Sequence, residues 1–62
     1  MNIENGSRWS STDGVVFIVI GTMVVEGKDW VYYRAEKPKD HMPEEFSCYQ
    51  ESFLSRFSKL PE

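Results

Sequence analysis

Two apolar runs, rich in β-branched and aromatic residues, dominate the sequence. The first covers residues 15–25 and the second residues 30–35. Residues of these types favour strands over helices. The segment between the runs, Glu26-Gly27-Lys28-Asp29, is polar and contains a glycine, which predicts a tight turn. The two runs therefore predict an antiparallel hairpin at the centre of the chain.

Gly21 interrupts the first run. A glycine within a strand often marks a bulge or a sharp bend, and such bends let a small sheet curl towards a barrel. Upstream of the hairpin, residues 6–10 form a candidate first strand with Trp9 as its large apolar side chain. Asp13-Gly14 then predicts a second tight turn, because glycine accepts the positive φ that such turns require.

The second half of the chain predicts one more strand and a helical turn. Residues 36–43 form a polar loop bounded by prolines, and residues 45–49 alternate in polarity as a strand does. Phe53, Leu54 and Phe57 have the i, i+1, i+4 spacing of an apolar stripe on a short helix. Pro61 prevents that helix from continuing.

Together these elements predict a mainly β fold. We expect a small, strongly bent antiparallel sheet, an SH3-like barrel of four to five strands with a short C-terminal helical turn. Residues 1–5 are expected to form a flexible N-terminal tail, and residues 6–62 a single SH3-like domain.

The two central strands lack a clean polar face. Because side chains alternate across a strand, each strand divides into two sets. One set is Phe17, Val19, Val31, Tyr33 and Ala35, and the other is Val16, Ile18, Ile20, Trp30, Tyr32 and Arg34. A sheet with one solvated side would alternate apolar and polar residues, which neither strand does.

Both faces of the hairpin therefore need other residues packed against them. The apolar stripe of Phe53, Leu54 and Phe57 can pack against one face. Strong bending could wrap both faces into a single core. Alternatively, the second set is a surface for self-association or for a partner, centred on Trp30, Tyr32 and Arg34 with Ile18 and Ile20 beside them. Aromatic residues next to arginine are typical of interface hot spots.

The composition of the chain bears on the cellular compartment in which the protein works. The chain has 62 residues, 40% of them hydrophobic, a net charge of −3 and a pI near 5.0. Cys48 is its single cysteine, so an internal disulfide cannot form and a reducing cytoplasm is favoured. The N-terminal residues lack the pattern of a signal peptide, and no apolar run is long enough to cross a bilayer. We expect a cytoplasmic protein that does not enter a membrane.

Candidate catalytic and metal-binding groups are sparse. Cys48 and His41 could form a nucleophile–base pair, but no third group is evident to orient the histidine. Asp40, His41 and Glu44 could ligate a metal only as mixed ligands in a loop. Glu44 and Glu45 are adjacent, so on a strand they point to opposite faces. We therefore expect no enzyme activity, no cofactor and no bound metal.

Nucleic-acid binding is the alternative to protein binding. Small barrels can stack bases on exposed aromatic rings, and phosphates attract basic residues. Basic and aromatic residues interleave here: Arg8, Lys28, Arg34, Lys37 and Lys39 with Trp9, Trp30, Tyr32 and Tyr33. Against this alternative, Asp29, Glu36 and Asp40 bring the same region close to neutrality.

Several short motifs carry a resemblance. They are Gly6-Ser7-Arg8-Trp9, Asp13-Gly14-x-x-Phe17-x-Val19, Trp30-Val31-x-Tyr33-Arg34, Glu45-Phe46 and Phe53-Leu54-x-Arg56-Phe57. Over nearly the whole chain this pattern resembles small SH3-like proteins of unknown function from bacteriophages and prophages. The resemblance implies the fold and a bacterial cytoplasmic setting. It also implies that Phe17, Val19, Val31 and Tyr33 are core residues, which leaves Trp30, Tyr32 and Arg34 outside.

The leading hypothesis is therefore a non-enzymatic interaction module, encoded by a phage, that binds and modulates a host or phage protein. Homodimerisation is a further alternative. The net negative charge suggests that the partner offers a basic site.

Overall fold

The computed structural model describes residues 3–61 as five strands and one short helix. In chain order these elements are β1 (Arg8–Ser11), β2 (Val16–Val25), β3 (Lys28–Ala35), β4 (Phe46–Tyr49), α1 (Gln50–Arg56) and β5 (Phe57–Lys59). All neighbouring strands are antiparallel, and their order in the single sheet is β4-β3-β2-β1-β5. The predicted mainly β fold with a short helix near the C-terminus is confirmed.

The sheet is open, since β4 and β5 are its two edges and do not pair with each other. α1 joins these edge strands directly and packs against β3, β4 and β5. The barrel expected from the sequence is thus a bent sheet whose gap is covered by the helix. Within residues 3–61 no helix is long and apolar enough to span a membrane.

The β2–β3 hairpin is the longest feature of the sheet and turns at Glu26 and Gly27. Both residues have positive φ, 51° and 79°, as the tightest two-residue hairpin turns require. Within β2 the register shifts between Val19, opposite Tyr33, and Gly21, opposite Tyr32. The irregularity predicted at Gly21 is therefore present, and Ile20 is the extra residue that it accommodates.

An aromatic core fills the concave side of the sheet. Val31 and Phe53 are completely buried, and Val19 and Tyr33 nearly so. Tyr33 is central: its ring stacks on Phe46 and also lies within 5.5 Å of the rings of Phe17, Phe53 and Phe57. The core positions predicted on β2 and β3 are confirmed, with Phe17 half-buried and packed against the cluster.

The N-terminal segment differs from the flexible tail expected for residues 1–5. Ile3 is buried in the core cluster. The Ser7 hydroxyl donates to the Glu4 carbonyl oxygen and accepts a 2.9 Å hydrogen bond from the Trp9 indole N–H. Ile3 and Glu4, within the predicted tail, thus contact the folded domain. Met1 and Asn2, the rest of the predicted tail, lie outside the described residues.

The C-terminal stripe is shared between two elements. α1 ends at Arg56, and Phe57 has the extended backbone of a strand, with φ −124° and ψ 151°. β5 pairs with β1, where Phe57 lies opposite Ser11. Phe53 and Phe57 both reach the core, but from a helix and a strand.

Candidate interaction surface

The convex side of the β2–β3 hairpin presents one continuous set of side chains. Cross-strand register places Ile18 opposite Arg34, and Met23 opposite Trp30. Tyr32 lies opposite the bulge in β2. On the other flank of β3, Tyr49 of β4 lies opposite Trp30 and on the same face of the sheet. We call this surface the outer face: Arg8, Ile18, Ile20, Met23, Lys28, Trp30, Tyr32, Arg34 and Tyr49.

Alternation along β3 separates the outer face from the core. Val31, Tyr33 and Ala35 are buried, whereas Trp30 and Tyr32 are half-buried and Arg34 is exposed. α1 inserts Phe53 among the core rings, so the helix lies on the concave side. No element formed by residues 3–61 packs over the outer face.

Register orders the outer face into cross-strand rows. The first row runs across β1, β2 and β3 as Arg8, Ile18 and Arg34. Another row, which we call the aromatic row, runs across β2, β3 and β4 as Met23, Trp30 and Tyr49, and Val25 opposite Lys28 follows it towards the turn. Strand geometry separates successive rows by about 6–7 Å. The surface therefore has Arg8 and Arg34 at one end, apolar and aromatic side chains in the middle, and Lys28 beside the hairpin turn.

The aromatic row is held by one contact between its own rings and by contacts from Tyr32 and Lys28 beside it. The rings of Trp30 and Tyr49 meet edge to face with centroids 4.4 Å apart. The Tyr32 hydroxyl donates to the Met23 sulfur at 2.9 Å, and the Lys28 ammonium lies 5.3 Å from the centre of the Tyr49 ring. Even so, Met23 is 49% exposed and Tyr49 43%. The row is an ordered but accessible apolar surface.

Two arginines, Arg8 and Arg34, lie at the end of the outer face farthest from the hairpin turn. Arg8 is neutralised by Glu36, with 2.7 Å between Nε and Oε2. Arg34 donates a long hydrogen bond of 3.4 Å to the carbonyl oxygen of Ala35, and it forms no ion pair with any of residues 3–61. Of the two arginines, Arg34 thus has the charge available to a ligand.

Cys48 lies on the opposite side of β4 from Tyr49. It is opposite Val31 in the register, half-buried beside the core. Burial raises the pKa of its thiol, although a hydrogen bond with Tyr33 and the charge of Arg56 act in the other direction. A raised pKa leaves less thiolate, which is the nucleophilic form.

The polar loop between β3 and β4 contains the candidate base His41 and the candidate metal ligands Asp40, His41 and Glu44. His41 has a positive φ of 70°, and its side chain and those of Asp40 and Glu44 are exposed. Across the described part of the chain, no three His, Cys, Asp or Glu side chains lie together as a metal site would require.

All five residues predicted for partner binding lie on the outer face: Ile18, Ile20, Trp30, Tyr32 and Arg34. Sequence reasoning missed Met23 and Tyr49. Because the bulge at Gly21 adds a residue, it brings Met23 rather than Thr22 opposite Trp30. Gly21, which predicted the bulge, could therefore also have predicted that Met23 lies on the outer face.

The comparisons with known proteins return no relative. No protein-family model, curated protein or solved structure matches the chain. The proposals for its function therefore depend on the geometry and chemistry of the outer face.

Proposed function

We propose that the protein is a non-enzymatic interaction module that binds another protein through the outer face. The observation that carries this proposal is a pre-ordered aromatic and aliphatic surface on the side of the sheet that α1 does not cover. The largest exposed apolar patch of a protein, when it is rimmed by polar residues, often marks an interaction site. The raised pKa of the half-buried Cys48 thiol disfavours its use as a nucleophile.

The resemblance to small SH3-like phage proteins suggests which proteins could be the partner. Small SH3-like phage proteins would meet their partners in the bacterial cytoplasm, so a host or phage protein is the proposed target. Binding to such a protein would modulate it by occupying a surface that it needs. The rings of Trp30 and Tyr49 would supply the buried centre of the interface.

A matched pair of variants tests this proposal. Met23 and Val24 are adjacent on β2 and both are exposed, at 49% and 65%. Alternation places Met23 on the outer face and Val24, which is opposite Asp29, on the other side. Met23→Ser should weaken partner binding, whereas Val24→Ser should leave it unchanged.

The measurement is affinity capture from bacterial lysate, followed by titration of each purified captured protein. We expect proteins that wild type and Val24→Ser retain and that Met23→Ser and Trp30→Ala lose, with at least about tenfold weaker binding on titration. Identical recovery by all four proteins would show that the outer face is not the binding surface.

Nucleic-acid binding is the second candidate, because Arg34 and Lys28 flank the aromatic residues of the outer face. Anisotropy of a labelled 12-nucleotide oligothymidine probes it. Binding that persists in moderate salt and is lost in Trp30→Ala would favour this function over the first.

A further inference from the structure

The charges on the outer face indicate what kind of protein surface it would accept. Within β1 to β4 the only carboxylate is Asp29, which alternation places on the other side of the sheet from Trp30; Glu36, directly after β3, is paired with Arg8. The cations Lys28 and Arg34 are on the same side as Trp30, at the two ends of β3. The outer face is thus locally positive in a chain whose net charge is −3.

We infer that the outer face takes a single acidic, amphipathic polypeptide segment, whose apolar side chains cover Trp30 and Met23 while its carboxylates reach Arg34 and Lys28. This inference rests on the proposed function and specifies the partner's chemistry. It reverses the expectation from net charge, which favoured a basic site on the partner. The local charge decides, because screening confines such interactions to about 8 Å in physiological salt.

The size of the face suits a segment better than a folded domain. Lys28 and Arg34 are six residues apart on β3, which corresponds to about 20 Å. Four neighbouring strands span about 14 Å across the sheet. One helix is 10–12 Å in diameter with its side chains, so a helix of roughly 13 residues would cover this area.

A second copy of the chain fits less well. Two outer faces packed together in antiparallel would bring Arg34 of each copy towards Lys28 of the other, and like charges opposite each other are destabilising. The footprint is also well below the roughly 800 Å² per partner of a standard interface.

Single-stranded nucleic acid fits less well for a different reason. Base stacking needs open ring faces, but Trp30 is half-buried with Tyr49 against it, and the Tyr32 hydroxyl is bonded to Met23. Aliphatic side chains, Ile18 and Ile20 among them, complete the face. With Arg8 paired to Glu36, few cations remain to follow a phosphate backbone.

The test is selection of a displayed library of random 16-residue peptides on the intact protein. Four proteins are compared: wild type, Met23→Ser, the control Val24→Ser, and the charge reversal Arg34→Glu/Lys28→Glu. We expect the peptides enriched on wild type to combine Asp or Glu with apolar residues. Their affinity should fall about tenfold or more on the charge reversal, since each exposed pair contributes a few-fold. The reversed protein should itself enrich basic peptides.

Each other outcome has a defined meaning. Peptides that depend on Met23 but are neutral or basic, and that bind the charge reversal equally well, would overturn the acidic segment and leave the proposed function intact. If no enriched peptide loses affinity on Met23→Ser while Val24→Ser is neutral, both proposals fail. A dimer that sedimentation detects and that Met23→Ser dissociates would show that a second copy of the chain binds the outer face. Oligothymidine binding tighter than that of any peptide would show that nucleic acid binds there. Thermal unfolding of each variant confirms that it is folded.

Discussion

Tyr33 and Cys48 bring two ionisable groups together at the edge of the core. Burial raises the pKa of Tyr33 above its ordinary 10.0 and that of Cys48 above 9.0, and Arg56 partly offsets both shifts. Each group is neutral when protonated, so the folded protein holds these protons more tightly than the unfolded chain does. The stability that follows is complete below pH 9 and is lost as the pH rises through the raised pKa values.

We therefore predict that the protein loses stability in alkaline solution. Urea unfolding measured from about pH 7 to about pH 10.5 should give a free energy of unfolding that is level at first and falls above about pH 9. The double variant Tyr33→Phe/Cys48→Ala should show a shallower fall. An equal slope in wild type and variant would mean that other groups cause the alkaline loss.

At the scale of single residues, alternation was enough to assign Trp30, Tyr32 and Arg34 to one side of the sheet and Val31 and Tyr33 to the other. The assignment succeeded because the period of two is fixed by backbone geometry and β3 is regular. Positions beyond the bulge could not be assigned by that rule. Their side depends on how many residues the bulge inserts, which is a property of the pairing between strands.

Two glycines of the central hairpin have different roles. Gly27 has a φ of 79° in the turn, a conformation that costs an L-residue about 1–2 kcal/mol. Gly21 has no positive φ, and a Cβ built there would meet no atom within 4 Å. The turn requires a glycine, whereas the bulge does not.

Alanine substitution should separate these roles. Gly27→Ala should lower the free energy of unfolding by about 1 kcal/mol, because alanine strains the turn. Gly21→Ala should be neutral or stabilising by up to about 1 kcal/mol, because alanine restricts the unfolded chain. Denaturant unfolding of both variants provides the comparison, and a larger loss for Gly21→Ala would show that the bulge needs glycine after all.

At the scale of elements, the strands that sequence reasoning found are those with a strong local pattern, and β5 is the one that it missed. β5 is three residues long and pairs with β1, far away in the sequence. Local periodicity assigned Phe57 to a helix because its spacing from Phe53 suits one. A partner strand that far away leaves no trace in a local pattern, so the helix was extended one residue too far.

The molecule as a whole closes its core with pieces from both ends of the chain. α1 covers the gap between the edge strands, and Ile3 joins the cluster of Trp9, Phe53 and Phe57. A domain this small buries a modest share of its surface, so each core side chain supplies a large part of its stability.

Ile3→Ala should consequently destabilise the protein by about 2–4 kcal/mol, the range for removing a buried aliphatic side chain. The control is Asn5→Ala, in the same segment but exposed, which should change stability by less than about 0.5 kcal/mol. Equal unfolding midpoints for the two variants would restore the flexible tail that the sequence predicts.

The fold class was predictable because the strand patterns, the turns and the helical stripe all favour the same bent sheet. The local charge of the outer face was not predictable, because net charge averages over the whole chain. Only the register shows that Arg34 lies opposite Ile18, and Lys28 beside Trp30 and Tyr49, on the same side of the sheet.

The two tryptophans of the chain give it two separate optical reporters. Trp9 is 3% exposed within the core, whereas Trp30 is half-buried on the outer face beside Tyr49. Unfolding changes the surroundings of both indoles, but a ligand on the outer face changes only those of Trp30. With Trp30→Phe, fluorescence follows folding alone, and the difference from wild type isolates the binding signal without any attached dye.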